Sequence, residues 1–262
     1  MWATAVTTPC SAVLPISKMG YSAFAEFYDS LTENIDYKEI AEYYHRLNMK
    51  FGGIKGILLD LACGTGSLSV LFSGLGYDVI GTDISEEMLS IAVAKEHEGI
   101  EYLCQSMTEL DMFGTIDGTV CSLDSINHLE SLDDVRTAFE KVSLFSNKGA
   151  LFMFDVNTVY KHEKVLGDNT FVYDMDNVYC VWQNEYVGGG RTEIYLDFFS
   201  EDKESGLYER YSDDFAETAY PAETIKELLI GAGFEVCACY EYLTENEPGE
   251  ESEKLTFIAR KL

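Results

Sequence analysis

Gly56-Ile57-Leu58-Leu59-Asp60-Leu61 is a short apolar run that ends in a glycine-bearing turn, Ala62-Cys63-Gly64-Thr65-Gly66, before a helical pattern begins at Ser67. An apolar run this short fits a strand covered on both faces, as in a parallel sheet. A glycine turn at the head of the next helix lets backbone N–H groups approach a ligand with no Cβ in the way. The second apolar run, Asp78 to Thr82, ends at Asp83, 17 positions beyond Gly66. A carboxylate there is placed to accept hydrogen bonds from two ribose hydroxyls. Any nucleoside cofactor satisfies this geometry.

Strand and helix patterns alternate on either side of this unit. Met19 to Leu31 reads as a helix with Tyr21, Phe24 and Tyr28 on one face. Phe24 suits the core, whereas a buried tyrosine needs a polar partner, which makes Tyr21 and Tyr28 candidates for a lid over a ligand. Asp36 and Glu39 form a capping box, stapled by Ile35 and Ile40, for a helix through about Met49. Helices follow at Ser67 to Leu75, at Glu86 to Glu98 behind the cap Ser85, and after Ser131. Strands are read at Ile100 to Gln105, Thr119 to Leu123 and Ala150 to Asp155. Such alternation predicts a parallel sheet with helices on both faces.

The pattern changes at Thr170. Phe171 to Tyr173, Tyr179 to Tyr186, Thr192 to Ser200 and Leu207 to Phe215 are strand-like runs separated by turn-formers such as Gly188-Gly189-Gly190. Pro221 then opens a helix over Ala222 to Ile230, and Phe234 to Tyr242 and Leu255 to Lys261 are the last strands, around an acidic loop at Thr244 to Glu253. The reading is an α/β, Rossmann-like, doubly wound sheet of seven mostly parallel strands, carrying an inserted antiparallel sheet as a lid at about 165–220. Residues 1–18 lack acids and read as a poorly ordered extension to a domain spanning 19–262.

The chain has 18 basic against 46 acidic residues, a formal net charge of -28. Such a surface repels phosphate backbones and anionic lipid, which disfavours nucleic-acid and membrane partners. Its seven cysteines (Cys10, Cys63, Cys104, Cys121, Cys180, Cys237 and Cys239) are scattered without a CxxC pair, and the four histidines complete no zinc spacing. No metal site is expected, and a reducing cytoplasm is. There is neither a secretory signal nor an apolar run long enough to span a bilayer.

The choice of cofactor rests on the turn itself. A dinucleotide loop reads GxGxxG, but the third glycine position here is Ser69, and an aspartate, Asp60, precedes the turn on the strand. Asp60-Leu61-Ala62-Cys63-Gly64-Thr65-Gly66 resembles the first motif of class I S-adenosylmethionine (SAM)-dependent methyltransferases, with Ala62 where many members have glycine. Gly81-Thr82-Asp83-Ile84-Ser85-Glu86-Glu87-Met88-Leu89 resembles the second motif, Gln105-Ser106-Met107 the third, and Leu123-Asp124-Ser125-Ile126-Asn127-His128-Leu129 the fourth. Tyr21 to Asp29 is similar to the helix that closes over SAM in small-molecule members. The resemblance implies a cofactor site of Tyr21, Tyr28, Asp60, Ala62, Cys63, Gly64, Gly66, Asp83, Ile84, Met88, Ser106, Met107, Leu123 and Asp124. Phe154-Asp155-Val156-Asn157-Thr158, Gly206-Leu207-Tyr208-Glu209-Arg210 and Tyr220-Pro221 extend it to the YqeM-type group of bacterial methyltransferases, from Met19 to Leu262.

The implied activity is methyl transfer from SAM to nitrogen or oxygen of a small molecule, by a monomer or homodimer. Direct displacement at an activated methyl needs mainly alignment, and a general base only where the nucleophile arrives protonated. Asp124 and His128 are the candidate bases, with an orienting hydrogen bond as the other role for Asp124. Asn157 and, on the lid, Glu185, Tyr208 and Arg210 are the candidate acceptor contacts, subject to strand register. A SAM-binding protein without transferase activity and a nicotinamide-dependent oxidoreductase are the alternatives, the latter disfavoured by the missing glycine. No Asn/Asp-Pro-Pro-aromatic signature of nucleic-acid amino methyltransferases is present, and the only Pro-Cys, Pro9-Cys10, lies in the extension.

Overall fold

The computed structural model describes residues 22–175, 178–203 and 205–262; Tyr21, the extension at 1–18 and the side chain of Phe24 lie outside them. The elements follow in the order α1 (Ser22–Leu31), α2 (Tyr37–Lys50), β1 (Ile57–Leu61), α3 (Ser67–Gly74), β2 (Asp78–Asp83), α4 (Glu86–Ala94), β3 (Ile100–Cys104), β4 (Ile116–Cys121), α5 (Leu132–Phe145) and β5 (Ser146–Asn157). Then come β6 (Thr170–Asp174), β7 (Val178–Gly188), β8 (Arg191–Asp202), β9 (Leu207–Thr218), α6 (Ala222–Gly231), β10 (Phe234–Glu241) and β11 (Lys254–Lys261).

Seven strands form one sheet in the order β10-β11-β5-β4-β1-β2-β3, and only β11 runs antiparallel to its neighbours. Strand β1 pairs with β2 on one side and β4 on the other. The order of the sheet therefore reverses at β1, and a crevice opens beyond the carboxyl ends of β1 and β4, where ligands bind in open α/β sheets. Strands β6 to β9 form a separate antiparallel sheet in chain order. This is the doubly wound fold with an antiparallel insertion that the sequence predicts.

The helix starts are where their caps place them. Asp36 accepts from the Glu39 N–H, Ser85 from the Met88 N–H and Ser131 from the Asp134 N–H. Element ends differ more from expectation. Helix α4 stops at Ala94 rather than Glu98, because Glu96 takes φ +48° and Gly99 φ +87° and the chain turns into β3. Strand β5 runs on to Asn157, which pairs with Lys254 of β11. Strand β4 stops at Cys121, short of Leu123, because Leu123 and Asp124 both adopt positive φ.

Strand alternation divides the core into two layers. Leu59, Leu61, Phe152, Phe154 and Phe257 pack under α5 and α6 with Phe139, Ile225 and Leu229, whereas Leu58, Val79, Leu151 and Ile258 pack under α2 and α3 with Tyr44, Leu47 and Phe72. A third cluster joins Val178, Cys180, Ile194, Leu196 and Phe198 of the antiparallel sheet to Phe27 of α1, whose ring stacks 5.3 Å from Phe198. Among the described residues no helix is long and apolar enough to cross a membrane.

The Phe154 ring is fully buried among Phe139, Phe152 and Phe257, with centroids 4.7–5.3 Å apart. Phe154→Ala is expected to cost about 3–5 kcal/mol of unfolding free energy, read from the urea midpoint at unchanged slope. A loss below about 1 kcal/mol would show that this layer collapses around the missing ring.

Candidate active site

The turn after β1 is held open by its own backbone. Ala62, Gly64 and Gly66 take φ of 59°, 54° and 72°, the left-handed region. A Cβ on Gly66 would lie 2.4 Å from the Tyr102 hydroxyl and 3.0 Å from Cβ of Ala92, so only glycine fits. One at Gly64 would meet nothing within 4 Å, and that side of the turn faces open space. Asp83 accepts the Gly64 N–H at 2.8 Å and the Ser85 N–H at 2.9 Å, tying the end of β2 to the turn. Burial raises its carboxyl above the usual value, against those backbone donors.

Asp60 is buried beneath the turn, and the Ser69 hydroxyl donates to it at 2.5 Å. The position where a dinucleotide loop needs glycine thus holds a hydroxyl bound to the strand's own acid. Burial pushes the Asp60 carboxyl from 3.8 up to about 6 and the Cys63 thiol far above its ordinary value. Helix α1 closes one side: Asp29 accepts from the Thr65 hydroxyl at 2.6 Å and pairs with Lys95 at 3.1 Å. Tyr28 lines a single cavity with Asp60, Ala62, Cys63, Gly64 and Leu123.

The opposite wall follows β4. Leu123 and Asp124 take φ of 55° and 54°, two non-glycine residues in a row in the left-handed region. Their N–H groups donate to the two oxygens of buried Asp155 at 2.9 and 2.8 Å. The Asp124 carboxylate accepts from Lys254 at 2.7 Å and from the Asn157 amide at 2.6 Å. Burial acts to raise the Asp124 carboxyl, but the Lys254 and Lys161 charges outweigh it and hold it well below the usual carboxylate range.

Asp124 leads into a short 3₁₀ turn, Ser125–His128. The His128 ring lies against Phe215, with centroids 5.2 Å apart, and its Nε2 is 3.7 Å from the Glu217 carboxylate. Glu217, buried on β9, also accepts from the Asn157 amide at 3.2 Å and lies 3.5 Å from Nε2 of buried His162, whose Nδ1 pairs with the Thr192 hydroxyl at 3.1 Å. The Asn127 amide donates to the Asn157 and Thr218 carbonyls, joining the inserted sheet to this turn.

The remaining sequence candidates lie in two groups. Ile84 is 66% exposed next to Asp83, an apolar surface at the mouth of the crevice. Met88 is buried, Ser106 bonds Thr108, and Met107 packs partly on the core. Glu185, Tyr208 and Arg210 stand apart. Thr192 and Glu217 are register partners, so Glu217 shares a face with Thr192, Ile194, Phe198, Tyr211 and Phe215, whereas Tyr208 and Arg210 fall on the other face with Glu201 and Phe199. Glu185 opposes Glu193 on that outer face, and Arg210 is engaged by Asp197 at 2.7 and 2.8 Å. Their outward direction follows from the period of the pleat, a parity that sequence alone left open.

Sequence reading missed Asp155, Glu217, His162 and Lys254. Asp155 carried a signal, as the one acid inside the apolar run Leu151 to Val156. Among the described residues no group of three or more His, Cys, Asp or Glu could hold a metal ion.

A family model described as a methyltransferase domain matches residues 58–149. The chain is 32% identical over 248 residues to the putative methyltransferase YqeM of Bacillus subtilis (strain 168), covering 93% of this chain and 98% of that protein. It is similar to the crystal structure of a SAM-dependent methyltransferase from Clostridium acetobutylicum ATCC 824, at TM-score 0.83 and 30% identity over 92% of this chain and 98% of that one. The sugar N-methyltransferase KedS8 from Streptoalloteichus sp ATCC 53650 shares the fold at TM-score 0.76 and 18% identity, covering 100% of this chain and 98% of that one.

Because Asp60 is raised from 3.8 to about 6, the fold keeps a proton that the unfolded chain gives up. The stability this contributes is complete below the unfolded value and is lost as pH rises through about 6, a change on the order of 3 kcal/mol. Asp60→Asn should flatten this part of the stability curve, measured as urea unfolding of both proteins in pH steps across that interval. Parallel curves for the two proteins would show that Asp60 does not titrate there.

Proposed function

Because the chain belongs to the family of SAM-dependent methyltransferases, we propose that it methylates nitrogen or oxygen of a small molecule held between the crevice and the inserted sheet. One observation carries this reading: His128, at the end of the turn that follows the Leu123 wall, meets the Glu217 carboxylate of the inserted sheet at 3.7 Å. An imidazole can take a proton near neutrality, and such a group is useful only where the acceptor arrives protonated, as an amine or hydroxyl does. Asp124, held ionised by two lysines, is a weak base and serves to orient. The fold shared with a sugar N-methyltransferase supports an amine-bearing acceptor.

When bound, SAM supplies a methyl group already activated by its sulfonium charge. The residues present fit that group. Asp83 is placed for the ribose hydroxyls, exposed Ile84 offers an apolar surface to the base, and the open side of Gly64 leaves room for the chain. Tyr28 closes the cavity from α1. As the methyl group is taken up by the acceptor, His128 would receive the acceptor's proton while Glu217 steadies the ring. Met88, Ser106 and Met107 complete the adenine end, and Asn157 links Asp124 to Glu217 at the acceptor end. The segment at about 165–220 acts as the lid, on a domain of residues 19–262. The net charge of -28 and the free cysteines support a cytoplasmic enzyme, monomeric or homodimeric, acting on a small molecule rather than nucleic acid.

The test is release of S-adenosylhomocysteine on incubation with SAM and panels of amino sugars, simple amines and alcohols. With an acceptor in hand, His128→Ala is expected to lower kcat by about 10²–10⁴ while S-adenosylhomocysteine affinity stays within about twofold. Full turnover in that variant, or methyl incorporation into RNA but no small molecule, would overturn the proposal.

A further inference from the structure

Strand β11 delivers Lys254 behind the Leu123–Asp124 turn, and no step of methyl transfer calls on it. Its side chain is 14% exposed; the ammonium donates to Asp124 Oδ1 at 2.7 Å, lies 3.3 Å from Asp155 Oδ1, and stands 4.9 Å from the centre of the Tyr242 ring. These two carboxylates are the ones that set the turn. Asp155 receives both of its strained N–H groups, and Asp124 is anchored through its side chain to Asn157. The other nearby cation, Lys161, reaches the Asn157 amide oxygen at 2.9 Å. A buried ammonium is costly unless well paired, and an apolar side chain of similar volume often stabilises a fold as well or better. Lys254 therefore does something that packing does not.

We propose that Lys254 is a positioning residue for cofactor binding. By bridging Asp124 and Asp155 it keeps the left-handed turn in place, and the turn in its place presents Leu123 to the cavity that the glycine loop lines from the other side. Without the bridge, two carboxylates share the turn with no cation between them, and the wall of the cavity relaxes toward an ordinary backbone conformation. Lys254 reaches the cofactor only through that wall.

The experiment is calorimetric titration of S-adenosylhomocysteine into the full chain and into Lys254→Met, with thermal melts of each protein without ligand. Affinity is expected to fall about 10- to 100-fold in Lys254→Met, the range seen when support behind a ligand site is removed. A second variant, Lys254→Met with Asp124→Asn, removes the ammonium and its partner charge together, so no unpaired Asp124 charge is left to unfold the protein. It is expected to melt close to the parent and still bind weakly. Parental affinity in the double variant, whatever its melting temperature, would show that Lys254 only balances charge and would overturn the proposal. If Lys254→Met alone fails to fold, the double variant is compared with Asp124→Asn alone, which keeps the ammonium: weaker binding in the double variant supports the proposal, and equal affinity in the two overturns it.

Discussion

The Asp155 carboxylate, fully buried at the end of β5, gathers four donors: the N–H groups of Leu123 and Asp124, the Tyr44 hydroxyl at 2.8 Å and the Lys254 ammonium. Each non-glycine residue in the left-handed region costs roughly 1–3 kcal/mol, and here two stand together. Hydrogen bonds to a charged group contribute about 1.5–3 kcal/mol each, and Asp155 makes two to the strained backbone. The two sums are of the same size, so the turn persists without glycine only while its acceptor stays in place beneath it. The path of the chain as it leaves β4 thus depends on a side chain of β5.

That dependence matters because of the strand order. With β1 between β2 and β4, the glycine turn, the Asp83 carboxylate and the Leu123 wall converge on one crevice, although 40 positions separate Asp83 from Leu123 and the sheet brings them together by topology rather than by proximity in sequence. The inserted sheet joins this crevice at one corner. Asn157 bonds Asp124 on one side and Glu217 on the other, and Asn127 bonds the Thr218 carbonyl. An acceptor entering beside His128 would press on the same hydrogen bonds that hold the turn. Helix α1 closes the opposite side through Asp29 and the Phe27–Phe198 stack, so it touches both the glycine turn and the inserted sheet.

How much of this is readable in sequence depends on the range of the interaction that sets it. Caps at Asp36, Ser85 and Ser131, the glycine turn and the acid closing β2 are local signals, and the structure places all of them as expected. The fold class follows from alternation, which is also local. The acceptor side is set by register and by pairs distant in the chain. Glu217 shares its strand with Asp213, Asp214 and Glu209, and nothing in composition tells the buried acid from the others; the contacts with Asn157, His128 and His162, all distant in the chain, do. For the same reason Glu185, Tyr208 and Arg210 had equal standing in sequence and fall on the outer face. Lys254 follows an acidic loop, and nothing local marks it as buried until β11 is laid beside β5.

The strong acidity of the chain then has two separate meanings. Most of the -28 is spread over the surface, where salt screens charges beyond about 8–10 Å and the effect is on solubility and on which partners are repelled. The carboxylates of Asp60, Asp83, Asp124, Asp155 and Glu217 are different, because burial around one crevice removes that screening. Lys254 and Lys161 offset part of this charge at the turn. Burial reduces it at Asp60 and Asp83 by favouring the protonated form. What is left is a crevice of negative character next to His128. A cation entering it is favoured by short-range Coulomb attraction in a low-dielectric setting, and loses that advantage once its charge is gone. A sulfonium is therefore held more tightly than the thioether it becomes, so this field favours loading of the charged methyl donor and release of the neutral product, and the rate of the chemical step rests on alignment and proton removal.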